Sequence, residues 1–286
     1  MTPVEQLVLL AVASFLAGVA GSYLGVGGGI FLVPFMTLVL GVDLQVAIAT
    51  SLIGVIATSS GAASIYVRDR LANLRLGMFL EIATTAGAIG GAVLAVHLDP
   101  RVLFFTFAVV VAYTAVFMSR RRETAKDRAY RAGPEARLSE RLALSSIYFD
   151  HEDEGVYRYR VDRPMAGFVV SGFAGWLSGL LGIGGGFVKV PAINVIMGVP
   201  MKPAIATSNL MIGVTAAASA FIYYSRGFVS PTFAAMVVVG VFTGTNLGTR
   251  LLLRAKAERI RFAFAAFLAI LAVLMGLRAF DAGVSL

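Results

Sequence analysis

The sequence predicts an all-α polytopic membrane protein, built as two inverted-topology repeats whose cores are helices broken at glycine runs, with eight to ten membrane segments. Three observations carry this: apolar runs of span length, a block of sequence that recurs at one offset, and basic residues collected between the runs. Hydrophobic residues make up 58% of the 286 positions, charged residues 14%, and mean hydropathy is +0.84. Soluble domains carry about 25% charged residues, so this chain could not cover a water-facing surface.

The apolar residues fall in eight long runs: Val4–Ala20, Leu44–Val67, Leu76–Leu98, Val102–Met118, Pro164–Leu181, Met201–Tyr224, Val229–Leu247 and Ile260–Leu277. About 20 helical residues cross the hydrocarbon core, and these runs approach or reach that length without strand-like alternation. The first run lacks a basic leader, since Met1–Glu5 carries only Glu5, and it has an internal copy, so it reads as a working helix rather than a cleaved signal.

The repeat is explicit. Gly25-Val26-Gly27-Gly28-Gly29 recurs as Gly182-Ile183-Gly184-Gly185-Gly186, 157 positions on. The offset also relates Pro34 to Pro191, Gly41 to Gly198, Ala49-Thr50-Ser51 to Ala206-Thr207-Ser208, Ile65-Tyr66 to Ile222-Tyr223, Gly87 and Gly91 to Gly244 and Gly248, and Met118 to Met275. The chain thus divides into a first membrane repeat (1–119), a linker (120–163) and a second membrane repeat (164–286). Each repeat holds four long runs and one short one, Ile30–Val42 or Phe187–Val199, which at 1.5 Å per residue reaches only about 20 Å.

Loop charge sets the expected orientation. Arg68, Arg70 and Arg75 follow the third segment of the first repeat, and Arg120, Arg121 and Arg122 open the linker. In the second repeat the cluster Arg250, Arg254, Lys256, Arg259 and Arg261 follows the fourth segment instead. Under the positive-inside bias the repeats insert oppositely. The linker would be cytoplasmic and both termini periplasmic, in a multi-pass protein of the cell inner membrane. The linker carries 11 basic and 9 acidic residues. Its Arg120–Arg141 portion reads as a basic helix near headgroups, and Ile147–Phe149 with Val156–Val161 as a small β-hairpin. A tether and a docking element are both open roles.

Composition excludes several chemistries. Without cysteine there is no disulfide, thiolate metal site or Cys nucleophile, and His97 and His151 are too few for a metal cage. No cofactor, metal or catalytic residue is expected, and no span holds a catalytic constellation. The net charge of +8 reflects loop bias rather than nucleic-acid binding. The expected partners are the lipid bilayer and a small anion, with a homodimer left open.

The anion follows from the glycine runs. Contiguous glycines in hydrocarbon break a helix, and unwound backbone is tolerated where it is buried or lines a wet cavity. A helix starts after each run, offering free N–H groups and the positive dipole end to an anion at Gly27, Gly28 and Gly29, and at Gly184, Gly185 and Gly186. Close helix packing is the competing role. Thr50, Ser51, Thr207, Ser208 and Asn209 add neutral donors within apolar helices, or else bond their own backbone. Lys189, three positions past the second run, would be the substrate counter-ion unless it snorkels to an interface. Glu81 would pair with Arg75 or carry a coupling proton. Asn194 and Asn246 are candidate cavity donors, and Tyr23 and Trp176 candidate gates.

The twinned glycine runs, the proline five positions beyond each and the following Ala-Thr-Ser stretches resemble the sulfite exporter TauE/SafE family of membrane permeases. The resemblance covers both repeats but not the linker. It implies transport of sulfite, thiosulfate or an organosulfonate such as sulfoacetate, without a prosthetic group. An anion channel, or a membrane-embedded enzyme or assembly factor, are the alternatives.

Overall fold

In a computed structural model the described residues are 3–99, 101–106, 108–109, 112, 134–150, 155–254, 262, 266, 270 and 273. Among the described residues six helices are long and apolar enough to cross a membrane. They are α1 (Pro3–Leu24), α3 (Leu44–Arg68), α4 (Leu74–Ala95), α6 (Pro164–Leu181), α8 (Met201–Ser225) and α9 (Pro231–Arg254). Two short helices, α2 (Gly29–Leu38) and α7 (Gly186–Pro191), follow the glycine runs, and Ala192–Ile196 continues α7 as a π-helical turn. The expected segments Val102–Met118 and Ile260–Leu277, and the stretch Arg120–Gly133, lie wholly or largely outside the described residues. Between the repeats, α5 (Pro134–Arg141) precedes a two-stranded antiparallel sheet of β1 (Ser146–Asp150) and β2 (Gly155–Tyr159).

Local chemistry sets the element ends. Asp43 caps α3, its carboxylate accepting from Gln45 N at 2.9 Å, and Asn73 caps α4, accepting from Leu76 N at 3.1 Å. Pro164 opens α6, where no intrahelical N–H is required. The short helices end alike: Gly41 (φ 66°) and Gly198 (φ 72°) turn the chain, with Val42 N donating to Met36 O and Val199 N to Ile193 O.

Glycine stripes hold the long helices together. On α9, Gly240, Gly244 and Gly248 meet Ala11/Ser14, then Phe15, then Val19/Ser22 of α1, in ascending order on both chains. The two helices therefore run in the same direction. On α4, Gly87 and Gly91 meet Gly172 and then Trp176 of α6, again in ascending order. A Cβ on any of these stripe glycines would strike main-chain atoms or a neighbouring side chain, which is the small-residue packing that membrane helices use.

At the centre α3 packs on α8. Ser59 donates to the main-chain oxygen of Asn209, while Val55 and Ile212 together cover both Gly27 and Gly184. Register numbers rise on one helix as they fall on the other, so α3 and α8 cross in opposite directions. Contacts recur in exchanged pairs under the 157 offset: Tyr66 Oη donates to Ser22 O at 3.1 Å, and Tyr223 Oη to Gly179 O at 3.1 Å.

Candidate functional site

Each break is made by glycines that take backbone angles other residues resist. Gly25, Gly27 and Gly28 have φ of 76°, 79° and 74°, and Gly182, Gly184 and Gly185 have 70°, 74° and 72°. Such left-handed runs end α1 and α6 and start α2 and α7. The two breaks lie against each other. A Cβ on Gly29 would meet Gly182 O at 2.7 Å, and one on Gly186 would strike Gly25 O and Val26. The whole contact is buried.

The hydroxyls beside the breaks are committed to this contact. Ser51 donates to Gly182 O at 2.7 Å, and its counterpart Ser208 donates to Gly25 O at 3.0 Å, so each half's serine holds the other half's glycine run. Asn209 Nδ2 donates to Ser22 O at 3.0 Å, while its Oδ1 is buried and without a hydrogen bond among the described residues. Thr207 accepts from Asn73 N at 2.9 Å; the Thr50 hydroxyl is buried and, among the described residues, unbonded.

Lys189 lies in the first turn of α7 with 0% exposure. It does not snorkel. Its ammonium donates to Thr215 Oγ1 at 2.7 Å, and Thr215 donates in turn to Glu81 Oε1 at 2.8 Å. Thr85 adds a donor to the same carboxylate oxygen at 2.9 Å. Glu81 is thus engaged through α8 with Lys189, whereas Arg75 is exposed at the start of α4. The sequence separates Glu81 from Lys189 by 108 positions, and nothing in their spacing announces the meeting.

Thr215 and Thr85 are the connecting residues that sequence reasoning missed. The available signal was that Thr215 and Thr58 stand 157 positions apart, as do the other repeated polar residues. Also missed was a buried ion pair where the linker meets the membrane half: Lys202 Nζ lies 2.6 Å from Asp150 Oδ1. Beside it, Asn73 Nδ2 donates to Leu144 O at 2.7 Å and to Tyr159 Oη at 3.2 Å, joining the α3–α4 loop to the hairpin. Burial pushes the Tyr159 phenol above its usual range, so it stays protonated near neutral pH.

The remaining candidates sit apart. Asn194 Nδ2 donates to Val199 O at 2.8 Å and closes the end of the short helix. Asn246 is exposed and bonds Phe242 O on its own helix at 3.2 Å, so it is not brought to the centre. Trp176 stacks on Phe173 with centroids 5.9 Å apart and covers the α4 glycines. Tyr23 is half-buried against the core. Among the described residues no group of His, Asp or Glu could hold a metal ion.

Six helices of span length around two abutting helix breaks define a polytopic, broken-helix membrane protein, an architecture used by secondary transporters. A family model described as "Sulfite exporter TauE/SafE" matches residues 10–275. The chain belongs to that family of membrane transporters. It is 27% identical over 251 residues to the probable membrane transporter protein YunE of Bacillus subtilis, covering 84% of this chain and 86% of that protein. A probable membrane transporter protein of Xylella fastidiosa (strain 9a5c) is 27% identical over 257 residues, covering 90% and 88% of the two chains. The probable membrane transporter protein MJ0441 of Methanocaldococcus jannaschii is 23% identical over 283 residues, covering 93% and 94%. No solved structure matches the chain.

Proposed function

We propose that this protein is a secondary transporter that exports a small sulfur-containing anion, such as sulfite, thiosulfate or an organosulfonate, by alternating access around the paired helix breaks. The observation that carries the reading is the buried Lys189 in the first turn of the helix that starts at the second break, within a chain of the sulfite exporter family. A lysine in hydrocarbon costs about 3 kcal/mol or more and marks a functional path by default. The helix starts at Gly29 and Gly186 add their dipole ends.

The two halves are inverted repeats in this reading. The opposed directions of α3 and α8 and the exchanged serine bonds support it. So does charge: α3 and α9 run in parallel, which puts Arg68, Arg70 and Arg75 at the same end as Arg250 and Arg254, and the hairpin bonds Asn73 at that end. The positive-inside bias makes that end cytoplasmic, with both termini periplasmic, in the inner membrane. Because Val55 and Ile212 fill the space over the breaks, a carrier that must move suits this centre better than an open anion channel.

Proteoliposome flux of labelled sulfite, thiosulfate and sulfoacetate tests the function. Saturable counterflow is expected, and it should fall sharply in Lys189→Ala. Normal counterflow in that variant would remove the counter-ion role, and no flux of any of the three would remove the function.

A further inference from the structure

Glu81, Thr215 and Lys189 come from α4, α8 and α7 and form one hydrogen-bonded chain. The 157 offset maps them onto Val238, Thr58 and Leu32. The threonine is present in both halves; Glu81 of the first half and Lys189 of the second meet at one of the two equivalent places, and at the other both charges are replaced, by Val238 and Leu32. Stability does not explain them. An apolar replacement of a buried ion pair is often neutral or stabilising, and the first half packs with Leu32 fully buried at the equivalent position.

Resting on the transport reading above, we propose that Glu81 is the coupling carboxylate: it holds Lys189 through Thr215 when no anion is bound, and takes up one proton when an anion displaces it. The Lys189 ammonium spends one donor on Thr215, whose hydroxyl lies 2.8 Å from Glu81 Oε1 and 3.1 Å from Met211 O, the carboxylate being the nearer and stronger acceptor. Glu81 Oε2 is buried and has no hydrogen bond among the described residues. An anion arriving at Lys189 would place two negative charges against one positive charge where water is scarce, and like charges that share a site cannot both stay ionised.

A carboxylate is a far stronger base than a sulfonate or thiosulfate oxygen, so the proton goes to Glu81. The anion bonds the ammonium, Thr215 releases the carboxylate, and water at the linker-facing end supplies the proton. Glu81 is half-buried and about 10 Å along α4 from its start there. A monoanion would then cross with one proton and no net charge.

Among the described residues the helices packed against α4 place no second carboxylate at this point. α6 carries no ionisable side chain in Pro164–Leu181. α7 carries only Lys189. α8 carries Lys202, held by Asp150 at the linker end, and Tyr223 and Tyr224 near the other end. On α4 itself Arg75 is exposed at the helix start.

Calorimetric titration of the full-length protein with thiosulfate and with methanesulfonate, each in two buffers of different ionisation enthalpy, reads the proton directly, because neither probe holds a group as basic as a carboxylate. The wild type should take up about one proton per anion, and its affinity should fall as pH rises through neutrality, by up to about tenfold per pH unit. Glu81→Gln should take up none and bind with an affinity that no longer follows pH, and its liposomes should lose proton-driven accumulation. Thr215→Val should weaken the pH dependence and Thr215→Ser should restore it.

Anion binding by the wild type without proton uptake overturns the proposal. So does a Glu81→Gln profile that still follows pH as the wild type does. If the wild type neither binds nor moves sulfite, thiosulfate or sulfoacetate, the transport reading itself fails and this inference falls with it.

Discussion

Converting the charged site to the apolar pattern of its equivalent place under the 157 offset separates the energetic content of the Lys189–Thr215–Glu81 chain from its function. Lys189→Leu and Glu81→Val restore the residue types found at the equivalent positions Leu32 and Val238. Each single variant strands one charge, which can escape by changing its protonation state, and that escape sets a ceiling. Protonating an ordinary carboxylate at pH 7 costs about 3.7 kcal/mol, and deprotonating an ordinary ammonium about 4.6 kcal/mol.

Glu81 is half-buried, so water reduces its deficit, and Lys189→Leu should lose about 1–2 kcal/mol. Lys189 is wholly buried, so Glu81→Val should come nearer its ceiling, at about 3–4 kcal/mol. The double variant strands nothing and should match the wild type or exceed it by about 1 kcal/mol. Reversible unfolding in mixed micelles reads these values, with an interaction energy of about 4 kcal/mol or more.

The pH gives a second check. In Lys189→Leu acidification into the ordinary carboxyl range removes the stranded charge, so the deficit of that variant relative to the wild type shrinks as pH falls there and grows back as pH rises, at up to about 1.4 kcal/mol per unit. A double variant no more stable than either single variant, or singles whose deficits simply add, would refute the claim that the two charges depend on each other.

Three further outcomes follow from contacts elsewhere. Asp150→Asn removes the carboxylate charge facing Lys202 and should loosen the hairpin by about 2 kcal/mol, read as faster hydrogen exchange across β1 and β2 with the spans unchanged. Gly91→Ala drives a methyl into the Trp176 main chain and should cost about 1–3 kcal/mol. Gly90→Ala meets only a Trp176 ring atom at 3.9 Å and should be neutral or stabilising by up to about 1 kcal/mol, both read by thermal unfolding in detergent. Ser51→Ala and Ser208→Ala each strip one bond from a buried glycine carbonyl and should each lose about 1–2 kcal/mol, with similar magnitudes because the bonds are exchanged counterparts.

Periodicity and repetition are properties of the chain itself, which is why the six spans and the position of both breaks were readable before any coordinates. A glycine run states its own backbone angles, and a duplicated run states them twice. The partners of Lys189 were not readable in the same way. Glu81 and Thr215 reach it only because α4 packs parallel to α8, a relation fixed by glycine stripes that contact other helices. The hydroxyls show the same limit. Ser51 and Ser208 were legible as polar groups near the breaks, but whether they face a solute or a carbonyl depends on how closely the two runs approach. The structure brings them close enough for each serine to bond the opposite run. Asn246 has the same composition-level credentials as Asn209, and only helix rotation separates them: one faces Ser22 in the interior, the other faces outward.

A frame this regular makes its departures from symmetry informative. Asn209 stands opposite Leu52, Lys189 opposite Leu32, Glu81 opposite Val238 and Lys202 opposite Gln45. Thr207 accepts a bond from Asn73, while its counterpart Thr50 is buried and unbonded among the described residues. Every charged or amide gain on the second-half helices α7 and α8 therefore has an apolar or less polar equivalent in the first half. Glu81 joins that set across the α4–α8 packing. Lys189 is the gain with the largest desolvation cost, and α7 runs from the break toward the end where Asp162 N bonds Met197 O and the hairpin docks. The polar residues thus lie between the breaks and the linker-facing end, while the equivalent positions on the other side are the buried Leu32 and Leu52. Two inverted halves with identical walls would have no preferred side on which to meet a charged solute. Here the side that carries the lysine and its carboxylate is also the side that carries the basic loops, so in the proposed transport cycle long-range attraction and the local counter-ion would act on an anion from the same end.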